Sequence, residues 1–311
     1  MNNEIKRNLD FCISNIKINK YDLKDVLEHE KGRLKLIEIK NGEIKSDYKD
    51  IKYNKRYKWV LIRYKKWLSY FDIIVKNNKH LNFCFLLYIF DKGESINIPL
   101  LKTSIRYNNE IPIPIWNIQG CFDKIKEVKE YKIEKVNKII FAGRPTGSKK
   151  PNFNERIDFC NWSFTKPEID SYISGITNNW KYSDVKHLYK KIEIKDQLEY
   201  KYLLNINGSV SSWDRFVWQM ASDSVCMYLK PKTYWKEWYF PLFENKKMED
   251  LPFVWVTKEN ILEVKKRLDE DNDLYNKIVE NGNKFVDDYI NEEAMNYYTL
   301  KIFEKLNNNY S

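Results

Sequence analysis

Residues 201–230 read KYLLNINGSVSSWDRFVWQMASDSVCMYLK, and their order of textures decides the fold. An apolar run, Tyr202 to Ile206, stops at Asn207-Gly208 and gives way to Ser209, Val210, Ser211 and Ser212. The helix-compatible WDRFVWQMAS follows, and then a second apolar run from Ser224 to Leu229. Strand, small-residue turn, helix and strand in that order form the unit of a parallel α/β sheet. In a doubly wound sheet, the turn after a strand's C-terminal end faces the ligand crevice. Small residues there let a ligand approach the backbone, and the next helix offers free N–H groups to a phosphate. Ser211 and Ser212 are N-cap candidates for a helix starting near Trp213. The chain has only nine glycines in 311 residues, so Gly208 is informative. A plain βα turn requiring Gly208 accounts for the pattern as well as a phosphate cradle does. The chain has neither GxxxxGK[ST] nor GxGxxG, so no P-loop or dinucleotide fingerprint is present.

Working outward, the same alternation continues. RLKLIEIKNGEIKSDY predicts a hairpin across Asn41-Gly42. Residues Tyr57 to Val75 carry apolar side chains at helical spacing. LNFCFLLYIF (81–90) is a continuous apolar run, as expected of a parallel strand buried on both faces, and it stops at Asp91-Lys92-Gly93. The prolines of IPIPIWN (111–117) keep that segment extended. Asp123 to Lys138 is charge-rich, fitting a surface helix or an interdomain connection. KIIFAG (138–143) opens a second strand–glycine turn, and a helix is expected around Lys181–Ile192. Two helical patterns close the chain, Glu259–Ile290 with a break near Asp271, and Glu292–Leu306. The expectation is an α/β protein with parallel sheets, built as two Rossmann-like domains.

Composition narrows the class. Apolar residues make up 43% of the chain, with 22 Tyr, 16 Phe and 10 Trp, enough for packed interiors and inconsistent with disorder. Lys plus Arg exceed Asp plus Glu by 54 to 44, giving +10 and suiting an anionic partner. The lysines form no block of five or six, so the excess is dispersed rather than a nucleic-acid patch. Cys12, Cys84, Cys121, Cys160 and Cys226 are odd in number and contain no CxxC, which reads as buried free thiols in a reducing compartment. No apolar leader region opens the sequence and no apolar run reaches 18 residues, so neither a signal peptide nor a transmembrane segment is expected, and the location expected is cytoplasmic.

Several residues invite chemistry. Asp91 ends the most apolar strand beside a glycine, where a carboxylate serves as a general base or simply begins a turn. Arg144 and Arg156 sit in FAGRPTGSKKPNFNERID, a basic loop whose guanidinium groups suit a diphosphate or are merely solvated. His29, His80 and His187 are isolated, without zinc-ligand spacing. LDEDND (268–273) falls between helical patterns and reads as a solvated linker rather than a metal site.

Taken together, these blocks resemble glycosyltransferase family 90, the family of Rumi-type protein O-glucosyltransferases and capsule-associated xylosyltransferases. The family pattern KYL-N-x-x-G is similar to Lys201-Tyr202-Leu203, Asn205 and Gly208. Its serine loop, (G/S)SvvL and E-(W/F)-(F/Y)-x-x-L are similar to Ser212, Ser224-Val225, and Glu237-Trp238-Tyr239 with Leu242. FAGRPTG…ER resembles its F-R-G-S-x-T…R block, and LLYIFDKGES…IPIPIWN its catalytic-aspartate strand and Pro-aromatic segment. Two departures stand out. The family arginine after the phenylalanine is Ala142 here, and the arginine that eukaryotic members carry after the serine loop falls on Asp214, with Arg215 one step later. The second departure looks closer to bacterial and viral members, which would put the protein in the host cytoplasm if viral.

The resemblance implies a GT-B architecture. It would have an acceptor-side domain over 1–135, joined by a C-terminal helix at 291–311, and a nucleotide-sugar domain over 136–290. It implies inverting, metal-independent transfer of a hexose or pentose from a UDP-sugar to a hydroxyl on a glycan or protein, with no cofactor and no nucleic-acid partner. Asp91 would be the base. Arg144, Thr146, Arg156, Gly208, Ser209, Val210, Ser211, Ser212, Trp213, Asp214, Arg215 and Glu237 would bind the donor, and Trp116 would line the sugar side. The competing readings are a basic nucleic-acid-binding protein, and a family member that binds nucleotide sugar without turnover, which Ala142 and Asp214 leave open.

Overall fold

A computed structural model describes residues 1–29, 34–46, 58–88, 98–106, 110–114, 118–147, 154–177, 180–232 and 235–311. The chain divides into two compact units. One comprises Met1–Ile118, Trp235–Glu244 and Asn291–Ser311; the other comprises Gln119–Tyr234 and Asn245–Ile290. Two details differ from the expected partition. The charge-rich segment forms helix α4 (Ile118–Glu130), almost all of which belongs to the second unit, and residues 235–244 belong to the first.

In the first unit, β1 (Leu34–Lys40) and β2 (Glu43–Ser46) form the expected hairpin. Asn41 and Gly42 both adopt positive φ (54° and 84°), the backbone that a tight two-residue turn needs. β1 runs antiparallel to β3 (Asn82–Tyr88), and β3, β4 (Leu100–Lys102) and β5 (Glu110–Pro112) are parallel. The sheet order is β2-β1-β3-β4-β5. This sheet is therefore mixed rather than wholly parallel: the Asn41-Gly42 turn reverses β2 against β1, and β1 in turn pairs antiparallel with β3. β3 is buried from Phe83 to Tyr88. Helix α1 (Asn3–Ser14) contacts α11 (Glu292–Asn309), and α11 in turn contacts α3 (Lys58–Lys76) and β3. Phe71, Phe83, Phe85 and Phe303 meet there with ring centroids 5.3–5.8 Å apart, within the range of favourable aromatic pairs.

The second unit is a five-stranded sheet, all parallel, of β6 (Val136–Gly143), β7 (Ile169–Ile173), β8 (Tyr200–Asn205), β9 (Val225–Leu229) and β10 (Val254–Val256). Its order is β10-β9-β8-β6-β7, so the chain steps outward from β6 to β7 and then reverses to β8 on β6's other side. Ile139, Phe141, Tyr202, Leu204, Val225 and Met227 point to one core, while Ile140 and Leu203 join Val128, Leu198 and Trp218 in another. Burial on both faces explains why these strands read as unbroken apolar runs.

The helices largely follow the sequence pattern. α9 (Ile261–Glu270) stops at Asp271, whose side chain accepts from Leu274 N–H and so caps α10 (Asn272–Tyr289). The acidic LDEDND is thus no free linker: besides the Asp271 cap, Asp269 accepts from Tyr202, Lys201 and Lys265. The helix expected around Lys181–Ile192 reduces to one turn, α6 (Tyr182–Val185), and a 3₁₀ turn at Lys186–Leu188. Between there and β8 comes only the short α7 (Ile194–Gln197). All five cysteines are buried and free. Among the described residues no helix is long and apolar enough to cross a membrane.

Candidate functional site

The reversal of strand order falls between β6 and β8. In open α/β sheets such a switch point opens a crevice at the strands' C-terminal ends, because the flanking connections depart to opposite faces. The loops that emerge there are Arg144–Gly147 after β6 and Ile206–Ser212 after β8.

Arg156 joins these loops. It lies in the first turn of α5 (Glu155–Ser163), whose cap Asn154 accepts from Ile157 N–H and donates to the Pro145 and Thr146 carbonyls. The Arg156 Nη1 donates to the Arg144 carbonyl and to Thr146 Oγ1, both at 2.9 Å. Its Nη2 reaches the Ile206 carbonyl at 2.9 Å, and Nε reaches the Ile206 and Asn207 carbonyls at 3.1 and 3.2 Å. The fork of a guanidinium spans two backbones in a way that an ammonium cannot. Burial, with the Arg215 charge nearby, brings Arg156 down to about 9. The buried guanidinium is spent on the protein's own oxygens, so it ties the two loops together rather than standing as a free charge.

Gly208 packs against this clamp. A Cβ there would stand 2.2 Å from Thr146 Oγ1, closer than real contacts allow, and a tight 3.1 Å from Arg156 Nη2. Gly208 N–H donates to the Val210 carbonyl at 3.1 Å, closing a tight turn. Gly147, at φ 114°, faces the Gly208 carbonyl from the other loop.

The serines do not cap the following helix. α8 (Asp214–Met220) is seven residues long and starts after Trp213, which takes the cap position at φ 45° without a side-chain cap bond. Ser212 Oγ instead donates to Asn205 Oδ1, tying the loop back to β8. Ser211 and Val210 are buried, and Ser209 is half-exposed. Asn207 Oδ1 accepts from the Tyr228 hydroxyl at 2.6 Å. The buried Nδ2 groups of Asn205 and Asn207 have no hydrogen-bond partner among the described residues.

Two further arginines border the loops. Arg215 donates to the Ala142 carbonyl at 2.7 Å and lies over the Phe141 ring at 5.6 Å. It sits where a side chain on Gly143 would be, at 2.9 Å from a built Cβ, and burial brings it down to about 10. Arg144 is exposed, its stem against Gly175, with no ion-pair partner among the described residues. Asp214 is paired with Lys124.

The structure brings together Arg144, Thr146, Arg156, Gly208–Ser212 and Arg215. Glu237 belongs to the first unit, where it accepts from Ser104 Oγ at 2.8 Å, and burial lifts its carboxyl to about 8 against the opposing hydrogen bond. Asp91 and Trp116 lie outside the described residues. Asn154, Asn207 and Tyr228 were not foreseen. The cap position before Glu155-Arg156 was the only signal for Asn154, and the pairing of Tyr228 with Asn207 depends on strand register.

The sequence profile of glycosyl transferase family 90 matches residues 108–310. That span covers the whole parallel sheet and most of the chain, and the protein belongs to this family. No curated protein matches it.

Proposed function

We propose that this protein is an inverting, metal-independent glycosyltransferase that moves a hexose or pentose from a UDP-sugar to a hydroxyl on a glycan or protein acceptor, within the GT-B class. Family membership supports glycosyl transfer. The observation that carries the donor assignment is the switch point between β6 and β8, where Arg156 staples two loops beside the guanidinium groups of Arg144 and Arg215. Arg215 already makes the Arg156 charge costlier, and an anion between the loops relieves that repulsion.

In this reading, Gly208–Ser212 pass beside the diphosphate and let it approach the backbone. Arg215 and the exposed Arg144 stabilise the negative charge that grows on the leaving diphosphate, the part a metal ion plays in other transferases. Asp91 removes the proton from the acceptor hydroxyl, whose oxygen attacks the anomeric carbon from the face opposite the leaving group. Inversion follows from that single displacement. Glu237, which accepts from Ser104 in the first unit, hydrogen-bonds the ribose or sugar hydroxyls of the donor in this scheme.

The test is a panel of UDP-sugars with release of UDP as the readout, repeated with Asp91→Asn. Release by wild type and its loss in Asp91→Asn, with UDP affinity retained, supports the scheme. Binding of a UDP-sugar without release in any acceptor mixture identifies a binder without turnover instead.

A further inference from the structure

The second unit carries another concavity, away from the switch point. It is an open pocket of about 350 Å³ on the edge strand β7, bordered by Phe164, Asp170, Ser171, Tyr172 and His187. In the parallel register Ile169 pairs with Ile139 and Ile173 with Gly143. Asp170 pairs with Ile140, so that part of the pocket is about 13 Å of strand from Arg144, while Tyr172 at its other end pairs with Ala142.

Its walls are aromatic. Phe164 is 66% exposed just after α5, and its ring meets His187 at 6.3 Å and 68°, forming a corner. Neighbouring aromatic faces are already covered: Lys166 lies over Trp162 at 4.6 Å and Lys190 over Tyr172 at 4.9 Å. The Phe164 face is thus a large apolar surface that the fold itself does not use.

The floor is polar and held in place. Asp170 accepts from the Tyr200 hydroxyl at 2.8 Å and from Lys138 Nζ at 3.2 Å. Ser171 Oγ pairs with Ser163 Oγ at 2.6 Å, and His187 Nε2 with Asn161 Oδ1 at 2.9 Å. A carboxamide oxygen only accepts, so Nε2 donates and Nδ1 of the neutral ring is left as an acceptor. Each Asp170 oxygen also keeps a second lone pair. The pocket therefore offers acceptors beside an apolar face. Lys138 already balances Asp170, so a cation gains little there, and the one cation on the pocket's lining, Lys166, is turned over the Trp162 ring, so a phosphate gains little too. An uncharged polyol with an apolar face satisfies both surfaces.

We infer that this pocket is a second carbohydrate site, holding one or two neutral sugar units of the acceptor or product glycan. A pyranose C–H face would lie on Phe164 and its hydroxyls would donate to Asp170 and His187. The site would keep a growing glycan on the enzyme while its end is extended. The choice of glycan rests on the transferase reading above, but binding at the pocket can be measured without turnover.

The experiment is calorimetric titration of the intact protein with maltohexaose, cellohexaose and xylohexaose, and separately with UDP. At least one hexaose binds saturably in wild type. Phe164→Ala and Asp170→Asn weaken that binding tenfold or more, and UDP binding in both variants stays within twofold of wild type. Phe164 is exposed, so its truncation does not threaten folding. Absence of saturable binding by all three hexaoses overturns the inference, as does binding that both variants leave intact. Self-association that Phe164→Ala abolishes, without hexaose binding, assigns the patch to protein contact and also overturns it. Loss of UDP binding with retained hexaose binding defeats the donor reading and leaves this site standing.

Discussion

Gly208 and Thr146 come from loops on different strands, yet a single added carbon on Gly208 would stand 2.2 Å from Thr146 Oγ1. Arg156 donates to that same oxygen at 2.9 Å, so the hydroxyl cannot retreat without loosening the clamp. Gly208→Ala is expected to shift the 206–212 loop at about 1–3 kcal/mol, the usual range for overpacking. UDP affinity falls at least tenfold. Adding Thr146→Ala removes the obstructing oxygen and recovers part of the stability, which urea unfolding of the single and double variants measures.

Arg156→Met removes five hydrogen bonds and leaves the Arg144, Ile206 and Asn207 carbonyls short of donors. Unpaired buried acceptors and a lost charge clamp place the cost at about 3 kcal/mol or more. Arg156→Lys rescues little, because an ammonium cannot reproduce the fork. The midpoint of urea denaturation reads both variants, and equal midpoints for wild type and Arg156→Met would rule out the clamp.

Arg144 differs from Arg156 in being exposed and in having no ion-pair partner among the described residues. Arg144→Ala leaves the melting temperature within a degree or two, since exposed positions contribute little. UDP binding weakens about tenfold, about 1.4 kcal/mol, and becomes less sensitive to salt. A variant with wild-type UDP affinity would remove Arg144 from the donor site.

Glu237 gives the first unit a pH signature. Burial raises its folded-state carboxyl to about 8, above the ordinary value of 4.5. The folded chain then holds a proton that the unfolded chain releases, so the stabilisation is full below about 4.5 and declines as pH rises through about 8. Glu237→Gln, which stays neutral, flattens that decline. Melting temperatures of both proteins from pH 5 to 9 decide it: parallel curves contradict the assignment.

Much of the parallel sheet was legible because strands buried on both faces leave unbroken apolar runs, as at Tyr202–Ile206 and Ser224–Leu229. Asp271 announced the α9–α10 break because a capping carboxylate interrupts the helical pattern. The antiparallel edge of the first sheet was only half visible: Asn41-Gly42 marked the hairpin, but the pairing of β1 with β3 is a tertiary matter. At the site, the residue types were readable and their tasks were not. Arg156 looks like any loop arginine until the fold places four acceptors around it, and Glu237 looks like part of the C-terminal half although the chain returns to the first unit there. Ser212 resembled a cap, yet Asn205 Oδ1 lies within its reach and Trp213 takes the cap position. Such competition between local and long-range partners leaves no trace in spacing alone.

The most direct test of the account is calorimetric titration of UDP into wild type, Gly208→Ala and Arg144→Ala. The account predicts one site per chain in wild type, with affinity at least tenfold lower in Gly208→Ala and about tenfold lower in Arg144→Ala. No UDP binding to the folded wild-type chain, or equal affinity in all three proteins, would contradict the placement of the donor at the β6–β8 switch point.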